Sequence, residues 1–261
     1  MSDVARSPGN GGSLTVDFEI NCYWNDWRIV LGRRYLRVVL DRCAHQFSRR
    51  RLIINNVAKR RPVEAAAKAA IARGDLDEYL FVEDHADAAL EFFQIDRASL
   101  DSGYLYSISE LVGIHASTAD YLLYYKSDSY PNRRHQWIGQ AIQIMESRSD
   151  LVVANLCWND LFEEARLESF DQAGDFLVGY GFSDQCFLVK MSVFRAAIYN
   201  EQNPASERYP AYGGESFEKR ADAYMRNHGV KRLTHGSESY THKNVPKGGI
   251  DRIRRLLWPF K

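Results

Sequence analysis

Three stretches of this 261-residue chain carry side chains able to do chemistry. In the first, YLLYYKSDSYP at 121–131, apolar and aromatic residues run into a polar tip with one carboxylate, Asp128. Such a run, closed by a polar cluster with proline, reads as a buried strand that stops at a loop. Ligands of open α/β sheets bind beyond the carboxyl ends of such strands. A lone acid there can hold a divalent metal that neutralises a diphosphate, or it can simply start the turn before Pro131. The second stretch is GGES at 213–216, with Glu218 and Arg220 close behind. Two glycines let backbone approach a ligand. Glu215 then stands at a helix start, where a carboxylate can accept a proton from an attacking hydroxyl or merely favour the helix dipole. The third is the pair His235 and His242. Either imidazole can complete a metal site with Asp128, or stay solvated in a polar loop.

Elements must position these groups. Residues 14–20 alternate as an extended segment, and NCYWND follows at the hand-over to a helix. Leu31, Tyr35, Val39, Cys43 and Phe47 recur every four residues, one face of an amphipathic helix. A strand at 51–57 precedes an Ala-rich helix that Pro62 opens and Gly74 closes. A short strand at 79–82 ends in Glu83, Asp84 and His85; helices follow at 86–93 and 104–116. After the strand at 121 come a helix at 135–147 and a strand at 151–156. This alternation predicts an α/β fold with a mostly parallel central sheet flanked by helices. Residues 158–180 mix acidic and aromatic residues without period and read as loop. A strand at 185–190, a helix that Ser192 caps, a helix at 215–228 ending at Gly229 and a strand at 231–234 complete a less regular second half.

Composition narrows the function. Lys plus Arg and Asp plus Glu are 34 each, which gives no global pull toward nucleic acid. No apolar run reaches the ~20 residues that span a bilayer. Residues 1–13 read as a disordered leader without a signal-peptide core. Cys22, Cys43, Cys157 and Cys186 are far apart, with no CxxC pair, and suit buried thiols of a reducing cytoplasm. Neither G-x-G-x-x-G nor G-x-x-x-x-G-K-[ST] occurs, against dehydrogenases, P-loop enzymes and typical methyltransferases. In the tail, Ile253, Leu256, Leu257, Trp258 and Phe260 beside three arginines suit either an anionic membrane surface or a helix packed on the domain.

Taken in order, YYKSDS, FSDQCFLVKMSVF, GGESFEKR and SESYTH resemble the motifs of a GT-A-fold glycosyltransferase, family 2-like, of the bacterial lipopolysaccharide, capsule and exopolysaccharide type. The family carries an acidic D-x-D motif at a strand end, a strand–helix segment, a G-G-E-[DN] box and a late metal-ligating His. The resemblance implies a GT-A (Rossmann-like) domain at 14–245, its nucleotide-sugar half at 14–130 and its acceptor half at 131–245, with a basic tail at 246–261. It implies a UDP- or GDP-type donor near Asn21, Tyr23, Asn56, Asp84, Lys126 and Asp128, and Mn²⁺ or Mg²⁺ on Asp128 and His242. Glu215 is then the base, with Asp184 as rival, and Gly213, Gly214 and Trp158 meet a saccharide or lipid-linked acceptor. The implied reaction is inverting and cytoplasmic, and a peripheral place on the inner membrane face goes with the membrane reading of the tail. Lys126 stands where the first acid of D-x-D would, and Ser216 where the acid after GGE would. The first departure lets Lys126 meet a phosphate as a point charge. The rival readings are a sugar nucleotidyltransferase, whose Gly-rich basic loop NCYWND is not, and a non-catalytic subunit of the same fold.

Overall fold

The computed structural model of the chain describes residues 14–243, so the expected leader and basic tail lie outside the described residues. The first half runs β1 (Val16–Cys22), α1 (Trp27–Val30), α2 (Tyr35–Cys43), β2 (Arg49–Ile54), α3 (Arg60–Ala72), β3 (Glu78–Phe81), α4 (Val82–Phe92), α5 (Tyr104–Ala116) and β4 (Tyr121–Tyr125). The second runs β5 (Ser129–Pro131), α6 (Trp137–Ser147), β6 (Leu151–Trp158), α7 (Phe162–Leu167), β7 (Ser169–Ala173), β8 (Phe176–Gly179), β9 (Cys186–Lys190), α8 (Met191–Phe194), α9 (Phe217–Asn227) and β10 (Lys231–His242).

All ten strands belong to one sheet, in the order β3-β2-β1-β4-β9-β6-β10-β8-β7, with β5 also on β10. Strands β1, β2, β3, β4, β6, β7 and β10 share one direction, while β5, β8 and β9 oppose it. The fold is therefore α/β with a mostly parallel central sheet, as the alternation predicts. One apolar layer joins β1 and β4 to α2, α3 and α6; the other packs α4, α5 and α9 on the opposite face.

Strand β1 alternates Val, Phe, Ile and Cys with Asp17, Glu19 and Asn21, a pattern that ordinarily leaves one face wet. Here both faces are buried, because the polar face finds partners beneath α5. Ser117 Oγ donates to Asp17 at 2.8 Å, Arg51 pairs with Glu19, and Asn21 Nδ2 donates to Ser109 Oγ at 3.4 Å. A Cβ on Gly113 of α5 would lie 2.0 Å from the Glu19 carboxylate, so only glycine lets the helix sit over it.

Several expectations change. The four-residue period from Leu31 to Phe47 is interrupted by a non-helical 31–34 turn and by Ala44 in the left-handed region (φ 50°), so α2 spans only Tyr35–Cys43. The stretch 158–180 is not loop: it holds α7 and the β7–β8 hairpin, which closes on Gly174–Asp175 with Gly174 at φ 58°. Ser192 lies inside the single turn of α8 rather than capping it. Helix α9 begins at Phe217, after Ser216, so Glu215 precedes it. Strand β10 does not stop at Thr234. It breaks register between Thr234 and Ser239, then pairs with β5 so that His242 sits opposite Ser129.

Candidate active site

The tip after β4 is a tight turn in which Ser129 N–H donates to Lys126 O at 2.9 Å. Each neighbouring element holds it. Asn21 Oδ1 at the end of β1 accepts from Ser127 N–H at 2.9 Å, and Asp26 accepts from Ser127 Oγ at 2.6 Å. Tyr35 of α2 donates to Ser127 O at 2.8 Å, and Lys243 N–H donates to Asp128 O at 2.9 Å. Burial pushes the Asp26 carboxyl up to about 7, against its hydrogen bonds from Ser127 and Tyr23.

The β5–β10 pairing brings His242 across to this turn, and its Nε2 lies 3.3 Å from Asp128 Oδ2. The other oxygen, Asp128 Oδ1, is buried with no hydrogen-bond partner. A buried carboxylate oxygen without a donor, beside an imidazole, is what a divalent cation would satisfy. Among the described residues no set of three or more His, Cys, Asp or Glu gathers around one point, so the chain offers two ligands and the rest would come from ligand oxygens and water. His242 is itself fixed by its backbone N–H, which donates to Asn159 Oδ1 at 2.8 Å.

Of these groups, Asp26, Ser127, Asp128 and His242 line a cleft of ≈ 520 Å³. Asp184, ahead of β9, and Glu218, in the first turn of α9, line it too. Phe217 is buried against Phe182, Phe187 and Tyr199 and anchors the helix, leaving the next side chain to face the cleft. The Glu218 carboxylate accepts the Asp184 N–H, and burial followed by the Asp184 charge pushes it up to about 8. Lys126 is buried beside them, ion-paired to Asp184 and 3.5 Å from Glu110 of α5. Burial would lower its amine, but Asp184 and Glu110 outweigh that and hold it well above its ordinary value. Lys126 is therefore a fixed internal cation rather than a free point charge.

Of the residues singled out from sequence, Tyr23, Asn56, Lys126, Asp128, Asp184, Gly213 and His242 line this cleft. Asn21 stands behind it, fully buried, and acts on the turn through Ser127. Asp84 does not join them: it lies in the first turn of α4, on the surface, paired with Arg60. Glu215 is outside the lining, bound to Lys219 at 2.7 Å. Gly214, at φ 54°, turns against Ser102 and Gly103, and Trp158 projects from the end of β6, 46% exposed. His235 is buried against His135 and Phe176, with Nδ1 accepting from Glu238 N–H, far from Asp128 in the register of β10. Glu218 is the cleft carboxylate that the GGES box did not point to; the signal was Ser216, a good N-cap, which would start the helix two residues later.

No protein-family model matches the chain, and no curated protein matches it. Solved structures similar to it include GalNAc-T7 with UDP, GalNAc and Mn²⁺, at 10% identity and TM-score 0.49, over 89% of this chain. This chain spans 44% of that protein's length. Glucosyl-3-phosphoglycerate synthase from Mycobacterium tuberculosis with Mg²⁺ and UDP is similar at 12% identity and TM-score 0.49, over 94% of this chain and 78% of that one. The galactosyltransferase LgtC with donor and acceptor sugar analogues is similar at 16% identity and TM-score 0.45, over 84% of this chain and 72% of that one. Among the described residues no helix is long and apolar enough to cross a membrane.

Proposed function

We propose that the chain is a glycosyltransferase that moves a sugar from a UDP- or GDP-type donor to a hydroxyl of a saccharide or lipid-linked acceptor, in cell-surface polysaccharide synthesis. One observation carries the reading: the pair Asp128–His242, with a buried oxygen lacking a donor, lines the same cleft as the buried carboxylate of Glu218, at the carboxyl end of β4. That is where ligands of such sheets bind, and it puts a site for anionic phosphate and a site for a base in one cleft.

A divalent cation, Mn²⁺ or Mg²⁺, on Asp128 and His242 would supply positive charge against the leaving diphosphate. Asn21, Asp26 and Tyr35 hold the Asp128 turn rigid, so little reorganisation is needed as charge develops. Lys126 keeps Asp184 occupied and adds a fixed cation beside the reacting centre. Glu218 takes the proton of the acceptor hydroxyl, because Glu215 is bound to Lys219 outside the cleft and Asp184 is bound to Lys126. The acceptor oxygen bonds to the anomeric carbon as the bond from that carbon to the diphosphate breaks, and inversion follows from in-line attack. Tyr23 and Asn56, on the cleft wall after β1 and β2, take the nucleoside.

The test is transfer by Glu218→Gln and Glu215→Gln proteins against the wild type, each with its melting curve. Loss in Glu218→Gln with the fold intact supports the assignment. Loss in Glu215→Gln alone would return the base to that residue, and nucleotide binding without turnover by the wild type would favour a non-catalytic subunit.

A further inference from the structure

Large apolar side chains left exposed are ordinary when scattered, but a cluster of them beside a polar cleft marks a binding surface. Here they cluster. Trp24, Leu105, Tyr106 and Tyr212 are exposed by 62%, 51%, 46% and 76%, and all four line the mouth of the cleft described above. They come from three separate segments: the loop after β1, the first turn of α5, and the 3₁₀ turn ahead of α9. Neither the Tyr106 nor the Tyr212 hydroxyl has a hydrogen-bond partner among the described residues.

Tyr106 and Tyr212 stand on segments that pack together. The backbones that carry them touch: a Cβ on Gly103 would lie 2.7 Å from Gly213 O, and one on Gly214 would lie 2.8 Å from Gly103 N. Ser107, the residue after Tyr106, accepts the Phe217 N–H at 2.8 Å, which ties the same wall to the helix bearing Glu218. Trp24 lines the same cleft, in the loop after β1 with Tyr23 and Asp26.

The cleft volume of ≈ 520 Å³ suits one ligand of nucleotide-sugar size, within the ~300–1,000 Å³ of small-molecule sites. With the donor inside, an acceptor beyond its reacting ring must rest on the mouth. A pyranose offers an apolar C–H face and a rim of hydroxyls. A tyrosine offers the complement, a flat apolar ring and a hydroxyl at its edge. We infer that Tyr106 and Tyr212, with Leu105, form a stacking platform for a saccharide acceptor of two or more rings, the ring next to the reacting one lying on them. This rests on the glycosyl-transfer reading.

The experiment is binding of full-length protein to immobilised mono-, di- and trisaccharides, beside thermal shift with uridine and guanosine diphosphate. Tyr212→Ala, Tyr106→Ala and Tyr212→Phe are compared with the wild type; both tyrosines are surface side chains, and melting curves confirm folding. The wild type is expected to hold oligosaccharides and not single rings. Each Ala variant is expected to lose about tenfold in affinity, with binding kept in Tyr212→Phe and the nucleotide shift unchanged. Oligosaccharide binding that depends on the tyrosines, without any nucleotide shift, would leave the platform standing and sink the transferase. A nucleotide shift with no saccharide binding, or saccharide binding indifferent to both Ala changes, would overturn the platform. A nucleotide shift lost in the Ala variants would give the rings to the nucleobase and overturn it equally.

Discussion

A general base acts only when ionised, so with Glu218 as the proposed base, its environment sets the pH range of the proposed transfer. Its carboxyl is pushed up to about 8, first by burial and then by the Asp184 charge. With that value, about a tenth of the protein carries ionised Glu218 at pH 7 and about nine tenths at pH 9. kcat/KM, which reports the free enzyme, should therefore rise about tenfold between those pH values and then level off. Asp26, pushed up to about 7, also titrates nearby, but a limb from it would centre a unit lower and survive loss of Glu218. Glu218→Gln should cost about 10²–10⁴ in turnover and flatten the upper limb. The same residue should leave a mark on stability. A carboxyl whose folded value is raised favours the fold below its unfolded value, near 4.5, and that contribution is lost as pH rises through about 8. The melting temperature of Glu218→Gln should thus match the wild type near pH 4.5 and exceed it increasingly up to pH 8. The assays are initial rates at subsaturating donor and melting curves, both across pH. A flat or falling rate profile from pH 7 to 9, or a limb unchanged in Glu218→Gln, would refute the reasoning.

Other consequences follow from the packing. Arg51 and Glu19 are both buried between β1 and β2, so Arg51→Met should destabilise by about 3–5 kcal/mol in chemical denaturation, with Glu19→Gln added to it restoring part. Lys126→Met leaves Asp184, Glu110 and Glu218 without their cation, and its melting temperature should fall ever further below the wild type as pH rises from 6 to 9. Asn159 and Asp160 are consecutive left-handed residues at φ 47° and 60° after β6. Both Asn159→Gly and Asn159→Ala lose the hydrogen bond to His242, but only alanine keeps the left-handed strain, so Asn159→Ala should be less stable than Asn159→Gly by about 1 kcal/mol in chemical denaturation.

The sequence reveals most where its signal is local. Strand β4 reads directly from YLLYY because burial on both faces demands a continuous apolar run. Helix α5 spans the expected 104–116. The hairpin at 169–179 escapes period counting because β7 is largely exposed and its residues answer to water, though Gly174–Asp175 marks its turn. The GGES box draws attention to Glu215, while the cleft side chain is Glu218. Which acid faces inward depends on where α9 starts, and Phe217 sets that by burying itself in an aromatic cluster no local pattern displays. Asp84 reads as a strand end but begins a helix, where its side chain meets Arg60 instead of the cleft. The approach of His242 to Asp128 comes from strand pairing across 114 residues, which spacing alone cannot reveal.

If this cleft transfers a sugar from a nucleotide, nucleoside diphosphate must appear as a product. Release of nucleoside diphosphate from a panel of UDP- and GDP-sugars, with an oligosaccharide acceptor, measured with Mn²⁺ and with EDTA, tests it most directly. Release is expected from at least one donor, suppressed by EDTA and in Asp128→Ala while the fold persists. A wild-type protein that binds a nucleotide-sugar yet releases no diphosphate from any donor, with or without metal, would contradict it.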